Sequence, residues 1–288
     1  MSWQLLTAIS VLCLSASVLL QRVLMSKDKT DQFAYAVVFK GIVGLLLMVV
    51  ALAYGLKLPG IKDVWLPAVL SIVAFGGGHI LYAKTLQKVE ASAFSVLFAT
   101  QAIWIMLIGI LVFEESLTAM QILGTVLIFA SIGFAGNGVS KLKLDKGTVL
   151  GLMTGVVFGV AITSWSYVGR HTDGLSWAAV SFIGTSLAAL LIRPSSIYKI
   201  KTLLTGRLLP KLLLLDILYG AGCLAMLFAY KEGTFAEVTP LRQTSIIVTT
   251  LLAVIILKNE RTRIQQKLLA AIISFIGVLL IVLYSTVS

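Results

Sequence analysis

Apolar stretches long enough to cross a membrane follow one another along almost the whole chain, and this feature limits the fold more than any motif does. A helix needs about 20 residues to cross the roughly 30 Å hydrocarbon layer. Such runs stand at 2–24, 33–56, 64–84, 91–113, 119–137, 147–169, 175–192, 210–230, 237–257 and 264–285. With 59% hydrophobic and 12% charged residues, the chain has too little polar surface for a water-soluble globule. The runs are continuous rather than alternating, which speaks for helices and against the strands of a lipid-facing barrel. The expected fold class is therefore an all-α polytopic membrane protein with ten transmembrane helices. Residues 1–24 lack a basic start and a small-residue cleavage site, so they are expected to be the first span rather than a signal peptide.

The spans repeat. Ser116-Leu-Thr118-Ala-Met-Gln121 opens the fifth span, and Arg261-Thr262-Arg-Ile-Gln265 opens the tenth, 144 residues later. Thr118 with Gln121, and Thr262 with Gln265, have the spacing of a capping box, in which hydroxyl and amide satisfy the free N–H groups of a helix start. Phe75-Gly-Gly-Gly78-His79 is echoed at the same shift by Tyr219-Gly-Ala-Gly222-Cys223. The shift is half of the 288 residues, so 1–144 and 145–288 read as one five-helix unit used twice. Five is odd, so the second unit must enter the membrane inverted relative to the first, an arrangement that can open a central site to either side.

The formal net charge of +11 would suggest nucleic acid for a soluble domain. Here seventeen Lys and Arg fall in odd-numbered connections, while even ones carry only Lys57, Lys62, Arg170 and Lys231. Short basic loops stay in the cytoplasm, which puts the odd connections inside and both termini outside. No nucleic-acid partner is needed to explain the charge.

The ten-span plan with equal halves resembles the drug/metabolite transporter superfamily, specifically its EamA-type carriers. The residues that carry the resemblance are Glu115-Ser-Leu-Thr118-Ala-Met-Gln121-Ile-Leu-Gly124 after span four, Asn259-Glu260-Arg261-Thr262 after span nine, and Phe39-Lys40-Gly41 in span two. The resemblance implies a multi-pass carrier of small metabolites in a bacterial cytoplasmic (inner) membrane, often an amino-acid exporter, with a central cavity between the halves. A proton, which a histidine inside a span could carry, or a counter-solute is the candidate coupling partner. Ten-helix members more often have the N-terminus inside, opposite to the loop charges here. Span one lacks the embedded glutamate of the four-helix multidrug relatives, whose proton/cationic-drug exchange therefore does not carry over.

Charged groups inside a bilayer are costly, about 2.5–3.5 kcal/mol on insertion scales, so they face a cavity or a partner. Four ionisable residues lie well inside spans: Lys40, His79, Asp216 and Arg242. Lys40 and Asp216 enter from the same side at similar depth and are candidates for a structural ion pair; Lys40 also suits substrate contact or snorkelling along its own stem. Arg242 follows Pro240, whose missing N–H frees carbonyls. With Gln243, Ser245 and Thr249 it forms a polar stripe that could hold a carboxylate or phosphate; pairing with Glu237 is the plainer alternative. His79, with Tyr82 one turn on, reads as a hydrogen-bonded packing residue or a proton relay. Thr100, Gln101 and Trp104 suit either a small polar ligand or interhelical hydrogen bonds.

Glu114, Glu115 and Glu260 read as acids at helix starts. Gly151, Gly155 and Gly159 read as a packing stripe, and Cys13 and Cys223 as small apolar residues. No metal cluster, nucleophile elbow or phosphate loop is present in the sequence, so neither enzyme activity, nor a metal, nor a cofactor is expected. The expected partners are a small-molecule substrate and membrane lipids, with the protein a monomer or homodimer. Function divides between a secondary transporter, exporting amino acids or other carboxylates by alternating access, and a channel-like or structural protein whose buried charges only hold helices together.

Overall fold

The computed structural model describes residues 2–26, 30–113, 118–135, 145–233, 238, 241–257 and 261–284. Among them every regular element is helical: α1 (Trp3–Ser26), α2 (Gln32–Ala53), α3 (Trp65–Lys88), α4 (Ala91–Phe98), α5 (Gln101–Phe113), α6 (Ala119–Ala135), α7 (Lys146–His171), α8 (Gly174–Ile192), a short α9 (Ile197–Leu204), α10 (Leu209–Glu232), α11 (Ser245–Ile256) and α12 (Ile264–Leu283). Eight spans are long and apolar enough to cross a membrane, with Ala91–Val112 counted as one. The other two expected spans give shorter apolar helices, Ala119–Phe134 and Leu241–Ile256. Among the described residues the apolar helices are thus eight long and two shorter.

Aspartates start three of these helices. Asp31 accepts the Phe33 and Ala34 N–H groups at 3.2 and 3.1 Å, Asp145 that of Thr148 at 2.7 Å, and Asp173 that of Ser176 at 2.8 Å. Each satisfies donors that the first turn leaves free. At Asp145 the Thr148 N–H holds the carboxyl below the usual aspartate range. At Asp31 and Asp173 partial burial pushes upward, yet the hydrogen bonds, from Lys199 and Ala34 in one case and Ser176 in the other, outweigh it and lower both. The Thr118–Gln121 capping box forms: the Thr118 N–H reaches Gln121 Oε1 at 2.9 Å and the Gln121 N–H reaches Thr118 Oγ1 at 3.3 Å. Its expected echo does not. Arg263, in the left-handed region at φ 54°, precedes α12, and no side chain caps that start. Glu114, Glu115, Glu237, Pro240 and Glu260 lie outside the described residues.

A break divides α4 from α5 at Ala99–Thr100, and a second precedes α11 at Thr244. Both are built alike. Thr100 donates its N–H and its hydroxyl to the Leu97 carbonyl at 3.2 and 2.7 Å; Thr244 does the same to the Leu241 carbonyl at 3.2 and 2.6 Å. Backbone polar groups at membrane depth need such partners, because lipid supplies none. The two breaks are 144 residues apart, as are the starts and ends of α3 and α10.

Packing follows the same offset. The tightest pairs are α3 with α7, α1 with α10, α2 with α8, and α6 with α12. Glycines set how close they come. A Cβ on Gly124 in α6 would sit 2.5 Å from the Gly277 carbonyl oxygen in α12. On α7, Gly151, Gly155 and Gly159 seat Leu97, Thr100 and Trp104, so this stripe is the bed of the broken helix. The main core surrounds α2, where Tyr35, Phe39, Val43 and Leu47 are fully buried against α3, α8 and α10.

Candidate solute-binding site

Lys40 is 3% exposed, deep in α2. Its ammonium lies 4.0 Å from the Phe182 ring centre, 4.6 Å from that of Tyr219 and 5.0 Å from that of Phe39, with the Tyr219 hydroxyl at 3.4 Å. Aromatic faces are the negative surfaces such a cation can use where no carboxylate is at hand. Asp216, one turn before Tyr219 on α10, is fully buried and feels the Lys40 charge. The two do not touch in an ion pair among the described residues, and neither Asp216 oxygen has a hydrogen-bond partner. Lys40 does not snorkel to the surface either.

From Lys40 a line of polar groups runs along one face of α10. Cys223 follows Tyr219 by one turn, and its sulfur feels both Lys40 and Arg242. Arg242, half-buried, hydrogen-bonds to the Tyr230 side chain and feels Tyr219 and Cys223. Positions 216, 219, 223 and 230 recur at the three- and four-residue steps that share a helix face. Sequence reasoning passed over Tyr219, Cys223 and Tyr230; that spacing was the available signal. Cys223 is a free, half-buried cysteine on this face. The line carries two cations, hydroxyls and a thiol between aromatic walls, which equips it to hold one small polar molecule by charge-assisted hydrogen bonds and ring contact.

His79, 4% exposed, faces the same region from α3 and feels Lys40. Its Nδ1 lies 2.8 Å from the Phe75 carbonyl, which can only accept, so Nδ1 carries the hydrogen. Its ring sits among Phe39, Phe75, Tyr82 and Phe158, at 5.0–6.2 Å between centres. Tyr82 joins Phe94 at 4.4 Å and Phe98 at 5.6 Å. Phe98 holds in the first break the position that Arg242 holds in the second, so one break carries an aromatic and the other a cationic side chain. Gln101, Trp104 and Ser245 are not joined to the Lys40 line by any contact described. Gln101 has a buried, unpartnered Oε1, and Trp104 is 38% exposed beside Gly159. The Ser245 carbonyl accepts the Ser15 hydroxyl of α1 at 3.5 Å, and Gln243 is half-buried. Among the described residues no three His, Cys, Asp or Glu come together as metal ligands.

An all-helical bundle of apolar spans around a buried cationic and aromatic line defines a polytopic membrane transporter of small molecules. The EamA-like transporter family model matches residues 1–136 and again 145–283, and the chain belongs to that family, whose members are transporters rather than enzymes. Relatives from two strains of Bacillus cereus and from Bacillus anthracis, each named "Putative sugar uptake protein", are 26% identical over 201 residues, covering 65% of this chain and 67% of theirs. A solved structure described only as "Crystal structure of protein" superposes with a TM-score of 0.63 at 16% identity, covering 98% of this chain and 99% of that one. It shares the fold.

Proposed function

We propose that the protein is a secondary carrier in a cytoplasmic membrane, built of two inverted five-span halves, 1–144 and 145–288, which rock about the Lys40–Arg242 line. Odd connections face the cytoplasm and both termini the other side, as the loop charges require. Interrupted helices at equivalent points of the two halves are a device that carriers use to place polar backbone at a central site. The matched breaks at Thr100 and Thr244 support this reading. The solute is a small organic molecule with an anionic group, such as an amino acid or another carboxylate. The observation that carries this is the buried Lys40 ammonium, 3.4 Å from the Tyr219 hydroxyl and in ion pair with no carboxylate among the described residues, with Arg242 near enough to act on Tyr219 and Cys223.

A second reading, a neutral sugar, has its own support. The relatives at 26% identity bear a sugar-uptake name, and Phe39, Phe182 and Tyr219 offer flat faces on which a sugar ring can stack. Export, implied by the resemblance, and uptake, in the relatives' name, are two directions of one reversible cycle set by the gradients imposed.

The test is counterflow in proteoliposomes with labelled carboxylates and labelled sugars. A carrier accumulates labelled solute against an internal unlabelled pool; a pore does not. Arg242→Ala and Lys40→Met are expected to abolish carboxylate counterflow while inserting normally. Counterflow of sugars alone, unaffected by both variants, supports the second reading, and leakage without counterflow removes the carrier.

A further inference from the structure

The face of α3 opposite Phe75, His79 and Tyr82 lines a separate open groove of about 290 Å³, walled by apolar side chains of α2, α3, α7 and α8. Gly77 forms its floor. A Cβ on Gly76 would meet Ala188 at 3.0 Å and one on Gly78 would meet Phe158 at 3.0 Å, but one on Gly77 would meet nothing within 4 Å. Of three consecutive glycines, only the middle one keeps a space open.

The groove is polar at one end only. There two cations stand near Phe33, the Lys84 ammonium 5.2 Å and the Arg193 guanidinium 5.0 Å from its ring centre. Neither forms an ion pair among the described residues. The nearby carboxylate, Asp31, is bound to Lys199 at 2.7 Å. From Val73 to Lys84 the groove follows α3 for about 16 Å at ~1.5 Å per residue, which matches one leaflet, about half of the ~30 Å hydrocarbon layer.

We propose that this groove is a binding site for an anionic phospholipid of the leaflet next to the odd-numbered connections. Its phosphate sits between Lys84 and Arg193, and an acyl chain lies along Val73, Gly77 and Ile80. Two donors of fixed positive charge suit a phosphate, and basic pockets between membrane helices are where anionic headgroups lodge. A zwitterionic lipid brings its own cation to a site that already holds two, and binds less well. The site is independent of the solute reading and of the direction of transport.

Native mass spectrometry of the full chain in detergent tests it, with phosphatidylglycerol, phosphatidylcholine of the same chains, and glycerol phosphate as separate additions. One phosphatidylglycerol is expected to remain bound where phosphatidylcholine is lost. The Lys84→Gln/Arg193→Gln double variant is expected to weaken it about thirtyfold, since each basic residue near a headgroup contributes ~1 kcal/mol. Gly77→Leu, which fills the floor and keeps both charges, is expected to remove it, with unchanged elution and melting temperature in phosphatidylcholine confirming the fold of both variants. Equal retention of the two lipids, or phosphatidylglycerol retention unchanged in the variants, overturns the proposal. Full displacement by glycerol phosphate also overturns it, because the site then binds free phosphate.

Discussion

At the scale of single residues, the buried charges discriminate between a staple and a binding site. A staple has a partner; removing one half leaves the other buried and unpaired, at a cost of about 3–5 kcal/mol. Lys40 has aromatic rings and one hydroxyl, and Asp216 has no hydrogen-bond partner for either oxygen. Lys40→Met, which keeps the stem against Phe182, and Asp216→Asn are therefore expected to stay within about 1 kcal/mol of the parent stability or to exceed it. Thermal unfolding in detergent measures this, and a fall of several degrees in either variant restores the staple. Lys40, His79, Asp216 and Arg242 were legible in the sequence because an ionisable residue inside an apolar run stands out. Tyr219, Cys223 and Tyr230 were not, because tyrosine and cysteine are ordinary in a membrane helix and only the packing of α2 against α10 brings the Tyr219 hydroxyl to Lys40.

At the scale of helices, close packing and capping make separate predictions. Gly124→Ala places a methyl group 2.5 Å from the Gly277 carbonyl oxygen and is expected to cost about 1–3 kcal/mol. Gly77→Ala, with nothing within 4 Å, is expected to leave the melting temperature unchanged. Equal effects would show that α6 and α12 can part without penalty. Asp173→Ala removes an N-cap and is expected to cost about 1 kcal/mol.

The caps also set an acid limit. Asp31, Asp145 and Asp173 have pKa values lowered by folding, so their contribution is fully present above the unfolded aspartate value and is lost as pH falls through the lower folded values. Melting temperature is thus expected to fall with acidification below the usual carboxylate range, and less so in the triple Asn variant, which keeps capping without titrating. An identical pH dependence in that variant would place the acid sensitivity elsewhere.

Helix positions were legible from apolar length, and the Thr118–Gln121 cap from its spacing. The Thr262–Gln265 cap misled, because the left-handed Arg263 starts α12 after Thr262. The breaks at Thr100 and Thr244 were hidden inside continuous apolar or mixed runs; only Leu97-Phe-Ala-Thr100 set beside Leu241-Arg-Gln-Thr244 marks them.

At the scale of the whole molecule, the 144-residue offset was the most legible sequence feature; α3 and α10, and the breaks at Thr100 and Thr244, stand at that spacing. The basic odd connections predict sided labelling: single cysteines in the loops after α1 and α3 are expected to be shielded from impermeant reagents outside intact cells, and a cysteine at Ser2 to react. The reverse pattern would invert the topology and leave the fold intact.

Alternating access of the Lys40–Arg242 line is tested most directly at Cys223. In a Cys13→Ser background, sealed proteoliposomes of uniform orientation are exposed to a membrane-impermeant thiol reagent on one face or the other. Cys223 is expected to react from either face while the vesicles stay tight to a small trapped dye. Reaction from one face alone, or from neither, contradicts a site that opens in turn to both sides of the membrane.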